Sequence, residues 1–148
     1  MQIDGTYHRK YGDNQVLAYF LGSDVEDGKY PYYLLSAKQI VENRDKIKEW
    51  YGDFVNREYD TEDVEVDEKI ISDAEQMNWL HFSDCVNNGG TSQLFIDFSP
   101  SEKGVKGQII RFLHDPDELM VIADSFDDYL KNIMDDGYPF INEDTIEY

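Results

Sequence analysis

The side chains best suited to chemistry gather at a few places. His114-Asp115-Pro116-Asp117-Glu118 sets an imidazole and three carboxylates within five residues, a donor set that a divalent cation would accept. Cys85, taken with His81 or His114, supplies a thiol nucleophile and a base in type. Asp84 and Asp97 are candidates for an acid and base pair. Asn87-Asn88-Gly89-Gly90 offers backbone able to take positive φ, as a phosphate loop needs.

A plainer reading accounts for each. Asp before Pro starts a chain reversal, and Asp side chains bond to nearby backbone, so 114–118 reads as a hairpin turn. Nothing beyond residue type joins Cys85 to either histidine. Asp84 and Asp97 close apolar runs, where carboxylates bond locally. The glycine stretch lacks the Lys and the strand-to-helix setting of a phosphate site, so its glycines serve a turn. No catalytic residue, metal ligand or cofactor is implied.

The elements that must position these residues follow from periodicity and punctuation. Val16 to Leu21 is a short apolar run between Asp13-Asn14 and Gly22-Ser23, a buried strand, and Tyr30 to Leu35 extends or follows it. Ser36-Ala-Lys-Gln39 fits a capping box and opens a helix whose buried side is marked by Ile40, Ile47, Trp50 and Phe54. Leu94 to Phe98, Gly107 to Leu113 and Leu119 to Ala123 are apolar runs joined by short turns, which implies an antiparallel meander. Ser125 caps a second helix, with Asp127 and Asp128 in its first turn and Phe126, Tyr129, Leu130, Ile133 and Met134 on one face. The fold class is therefore α+β, a central mostly antiparallel sheet with both helices packed on one face.

Between Glu58 and Glu75 stand nine acids and one base, Lys69. Val64 and Val66 alternate with those charges, the pattern of an exposed edge strand or extended arm. A calcium loop does not fit, because the sixth position after Asp60 lacks the glycine its turn requires.

Composition narrows the class further. A chain of 148 residues suits one domain, and 11 Tyr, 8 Phe and 2 Trp supply a core despite a hydrophobic share of 41%. With Cys85 the only cysteine, no internal disulfide forms, which suits a reducing compartment. The start carries no basic segment followed by an apolar one, and nowhere do 18 apolar residues run together, so a cytoplasmic protein is expected. A formal charge of -19 repels phosphates, which argues against nucleic acid or an anionic membrane; it either suits a basic protein as partner or serves solubility alone.

From Trp79 onward the residues carry a spaced pattern: Trp79-Leu80-x-Phe82-x-Asp84, Gly89-Gly90, Asp97-x-x-Pro100, Gly107-Gln108, His114-Asp115 and Ser125-Phe126. That order resembles the SUKH superfamily, whose members include SMI/KNR-like bacterial immunity proteins against polymorphic toxins and fungal regulators of cell-wall assembly. The loop from Cys85 to Gln93 is longer than the tight glycine turn usual there. The chain also reaches a first strand by Val16, so the family's amphipathic segment ahead of it is missing, shortened or outside residues 1–148, which otherwise form a single SUKH-like domain. The resemblance implies a non-enzymatic immunity protein that neutralises a cognate toxin, with the acidic surface suiting a basic nuclease cleft. A regulatory adaptor of the cell-wall type is the alternative, followed by a small metal-dependent hydrolase using His114, Asp115 and Asp117. Glu62, Asp63, Glu65, Asp67, Asn87 and Asn88 are the candidate contact residues. Trp79, Asp84, Gly89, Gly90, Asp97, Pro100, Gly107, His114, Asp115, Ser125 and Phe126 are expected to be structural.

Overall fold

A computed structural model describes residues 7–11, 15–23, 31–59, 63–85, 92–114 and 117–135. The described strands form one eight-stranded sheet. In chain order they are β1 (Tyr7–Tyr11), β2 (Gln15–Ser23), β3 (Pro31–Leu34), β4 (Glu65–Val66), β5 (Trp79–Cys85), β6 (Ser92–Asp97), β7 (Gln108–Leu113) and β8 (Glu118–Ala123). Their spatial order is β1-β2-β3-β5-β6-β7-β8-β4. Every neighbour pair is antiparallel except β4 with β8; β6 through β8 are the expected meander, and β5 adds to it as an antiparallel neighbour of β6. Val16 to Leu21 lies inside β2, and β1 precedes it as a strand that its polar sequence does not announce.

The helices are α1 (Ala37–Asn43), α2 (Ile47–Val55) and α3 (Phe126–Asp135). The Ser36 capping box is formed: the Ser36 hydroxyl accepts from Gln39 N–H at 3.2 Å, and the Gln39 side chain accepts from Ser36 N–H at 2.9 Å. The single helix expected from Ser36 is two, because the chain turns at Arg44 to Lys46, with the Lys46 N–H bonded to the Asn43 carbonyl. That turn resets the buried face to Ile47, Tyr51 and Val55, spaced i, i+4, i+8, and leaves Trp50 41% exposed rather than buried.

The α+β class with a mostly antiparallel sheet holds, but the helices divide between the two faces of the sheet instead of sharing one. Alternate residues of a strand point to opposite faces. Phe95 packs with Ile47, Tyr51 and Val55 of α2, while its neighbour Leu94 packs with Tyr129 and Ile133 of α3. Ile110 and Ile109 split in the same way. All four are fully buried. Strands covered on both faces need apolar residues at consecutive positions, which is why Leu94-Phe95 and Ile109-Ile110 occur as doublets.

Ser125 caps α3 by accepting the Asp128 N–H at 3.0 Å, and Phe126 meets Phe82 edge to face at 5.5 Å. Gly107 opens β7 at φ +93, a conformation that side chains rarely adopt. At Gly104 a Cβ would lie 2.6 Å from the Lys69 carbonyl oxygen, so the turn between β6 and β7 closes only around a glycine.

Candidate partner-binding surface

The acidic stretch enters the sheet as its edge strand, as the alternation of Val64 and Val66 with charges suggested. Glu65 N–H bonds to the Asp117 carbonyl and Asp67 N–H to the Leu119 carbonyl, at 3.0 and 2.8 Å. Val66 turns in against the core, while Asp63, Glu65 and Glu68 stay exposed. Glu65 pairs in register with Glu118, so like charges sit side by side along this edge. Glu118 is partly compensated by Arg111 at 3.2 Å and Glu68 by Lys103 at 2.9 Å. Asp63 and Glu65 have no salt-bridge partner among the described residues. Glu62, Asn87 and Asn88 lie outside the described residues, as do Gly89, Gly90 and Asp115.

Asp67 has a different occupation. One carboxylate oxygen accepts Lys69 N–H at 2.9 Å and the other accepts Val121 N–H at 3.0 Å, so its side chain ends β4 and ties it to β8. Behind it, Arg57 adopts φ +60 just after α2, where glycine is the usual residue. Its guanidinium donates to the carbonyls of Val55, Ile71, Asp67 and Ile70 at 2.6 to 3.3 Å. Burial pulls its pKa below the ordinary value, against the pull of Tyr59 and Asp67. Asn56 accepts Ala74 N–H at 2.8 Å from the same segment. The acidic strand is thus held from beneath by Asn56 and Arg57. No sequence pattern marks either residue, because their partners are backbone groups far along the chain.

At the far end of β6, the turn to β7 is locked by a buried pair. Asp97 is fully buried and accepts Ser99 N–H at 2.8 Å and the Ser99 hydroxyl at 3.2 Å on one oxygen, and Gln108 Nε2 at 2.9 Å on the other. Gln108 also donates to the Lys69 carbonyl and accepts Val105 N–H. Pro100 makes a bridge with Ile70. Burial raises the Asp97 carboxyl above its usual range, opposed by the bonds from Ser99 and Gln108 and by the nearby Trp79, whose indole N–H does not reach hydrogen-bonding geometry.

A carboxyl raised in the folded state contributes stability that is present below its unfolded pKa and lost as pH rises through its folded pKa. Urea unfolding between about pH 4 and pH 7 should therefore show a downward slope in stability that Asp97→Asn flattens. The same variant should cost about 1–3 kcal/mol, because its amide NH2 would face the Gln108 NH2. An unchanged slope would show that Asp97 does not carry the pH dependence.

The candidate chemistry separates in space. Cys85 is buried in the core against α3, while His81 lies beside Phe95 on the opposite face, so the two form no nucleophile and base pair. His81 Nε2 is 2.6 Å from Asp84, Gln93 donates to the same oxygen at 3.1 Å, and the buried Tyr51 hydroxyl donates to Gln93. Burial, then Asp84 and Asp117, push the Tyr51 phenol far up. In register Asp84 lies opposite Gln93 and Asp97 opposite Trp79, which puts the two carboxylates at opposite ends of one hairpin. His114 and Asp117 pair at 2.7 Å across their turn, and Glu118 is engaged with Arg111. Among the described residues no three His, Cys, Asp or Glu side chains converge as a metal site.

The chain matches the SMI1 / KNR4 family (SUKH-1) over residues 5–132. It belongs to that family. No curated protein and no solved structure matches it. SUKH proteins are in general non-enzymatic immunity or regulatory proteins that act by binding partners. Within this SUKH chain, Trp79, Asp84, Asp97, Pro100, Gly107, Ser125 and Phe126 all make contacts that build the sheet, its turns or the caps on its helices. Among the described residues, Asp63 and Glu65 at the β4 edge are exposed acids that make no such contact.

Proposed function

We propose that this SUKH protein is an immunity protein that binds a cognate toxin and blocks it without doing chemistry, using the acidic edge to meet a basic cleft. Family membership is the observation that carries the reading. Charge supplies its physical sense. A net charge of -19 attracts a surface built to hold phosphates, and such attraction speeds association most at low salt.

The test uses the product of the gene next to this one, purified in an inactive form. Stopped-flow association should slow by about tenfold or more at low salt when Glu62, Asp63 and Glu65 are changed to Gln, Asn and Gln. The loss should shrink as salt is added, since exposed charges are screened beyond about 8 Å at physiological ionic strength. Stability should stay level or rise slightly, as two of these are exposed like charges with no counter-ion among the described residues. Asp67 is left intact, because its carboxylate holds β4 in place. A neighbouring product that does not bind would sink the immunity reading. Equal rates at every salt concentration would remove the edge from the interface.

A further inference from the structure

We propose that Trp50 and Asp84 form a subsite for an arginine side chain of a basic partner, whose guanidinium lies on the indole and donates to the carboxylate. This deepens the immunity reading and rests on it for the identity of the partner, while the subsite itself is testable without one.

His81 and Asp84 are three residues apart, and in a regular strand that spacing puts two side chains on opposite faces. β5 is not regular. His81 stands opposite Phe95 and Ser83 opposite Leu94, so Phe82 is an extra residue on this strand. Asp84 then stands opposite Gln93, two residues from Phe95, and returns to the face that α2 covers. The bulge brings its carboxylate to 2.6 Å from His81 Nε2. Bulges that re-aim one side chain in this way recur next to functional sites.

The His81 imidazole is 1% exposed. It lies against Phe95, and the Trp50 ring stands edge on to it at 6.2 Å. The Asn43 amide, 3.4 Å from Nδ1, donates there when Nε2 carries the proton toward Asp84. One proton serves both contacts, and the charge of Asp84 is left uncancelled. Trp50 is 41% exposed and the Asp84 side chain 18%, so both open to solvent over the same buried ring.

The two bonds that Asp84 accepts, from His81 and from Gln93 at 3.1 Å, fall on one oxygen. Its other oxygen has no partner among the described residues. A carboxylate held at one end and open at the other receives a cation with little further ordering. Asp117 adds to the negative field: after burial, Asp84 and Asp117 both push the Tyr51 phenol up. The Asp117 carbonyl accepts Glu65 N–H, which joins this spot to the acidic edge. Arginine fits it best, because a planar, weakly hydrated guanidinium lies on an indole while an N–H reaches sideways to a carboxylate, whereas an ammonium is a hydrated point charge. Tryptophan beside such a charge is a common anchor of protein interfaces.

The experiment titrates the full chain with acetyl-arginine-amide and follows NMR shifts of amide and indole N–H groups. Saturable shifts of the Trp50 indole N–H and the Asp84 amide are expected, with a Kd on the order of 10 mM for one side chain. The lysine analogue should bind about threefold more weakly and the uncharged citrulline analogue about tenfold. Trp50→Ala and Asp84→Asn should each weaken arginine about fivefold or more. Neither removes a contact the fold needs, since Trp50 is exposed and Asp84→Asn keeps an oxygen for His81 and Gln93 while its NH2 turns to the open side. Against the neighbouring gene product, each variant should raise Kd about tenfold or more, and the pair less than additively, because the two residues hold one side chain. The proposal is overturned if no saturable shift appears at Trp50 and Asp84, if the citrulline analogue binds as well as arginine, or if the variants bind arginine like the wild type. A neighbouring product that binds both variants and the wild type alike would also overturn it. One that binds none of them sinks the immunity reading alone, and the arginine titration then decides the subsite.

Discussion

Replacing Trp79 by alanine should destabilise the protein by about 3–5 kcal/mol, enough to unfold most of a marginal domain. Trp79 is 5% exposed and opens β5 at the centre of the larger core cluster. Its ring lies 5.3 Å from that of Phe95 and 6.4 Å from that of Tyr51, between the sheet and α2. Both neighbours are themselves wedged, Tyr51 against Phe112 at 4.9 Å, so the site cannot collapse to fill the space. Trp79→Phe should cost less, since it keeps a ring in the cluster and its lost indole N–H has no hydrogen-bond partner. Urea unfolding of both variants checks the order. An alanine variant with native stability that fails to bind its partner would move Trp79 from the core to the interface.

Loss of the Arg57 guanidinium should cost about 2–4 kcal/mol, because Arg57→Ala removes a donor from four carbonyls in the seam between α2 and the acidic segment, of which that of Asp67 keeps the Ile70 N–H. The backbone at φ +60 supplies an internal control. Glycine tolerates that conformation, so Arg57→Gly should be about 1 kcal/mol more stable than Arg57→Ala while losing the same side-chain bonds. Lysine should fall between, since one ammonium cannot reproduce the fork of a guanidinium. Chemical denaturation of the three variants decides the matter. If alanine matched the wild type, the carbonyl bonds would contribute nothing and the arginine would be incidental. Because the same bonds hold the carbonyls of Asp67, Ile70 and Ile71, exchange of amides in residues 63–71 should also quicken in Arg57→Gly.

Local features were legible in the chain because their partners lie within a few residues. The Ser36 box, the Ser125 cap and the meander from β6 to β8 rest on contacts at short spacing or on short turns. The edge strand at Val64 to Val66 was equally visible, as apolar and charged residues alternate there. Two expectations failed for one reason. The break at Arg44 to Lys46 and the placement of α3 on the far face depend on which side of the sheet each helix finds open, and helix periodicity records only that a face is buried, not against what.

The same boundary divides the candidate site. Residue types and spacing determined that this is an acidic α+β chain with its densest run of acids between Glu58 and Glu75, and the order of its motifs from Trp79 onward carried the resemblance to the SUKH superfamily. Only the tertiary structure decided which of the described acids stand in solvent and which are spent on the fold. Asp63 and Glu65 stand in solvent, whereas Asp67 is consumed by Lys69 and Val121 N–H groups and Asp97 by Ser99 and Gln108. A carboxylate takes its role from the donors that surround it, and those donors come from strands as much as 54 residues away.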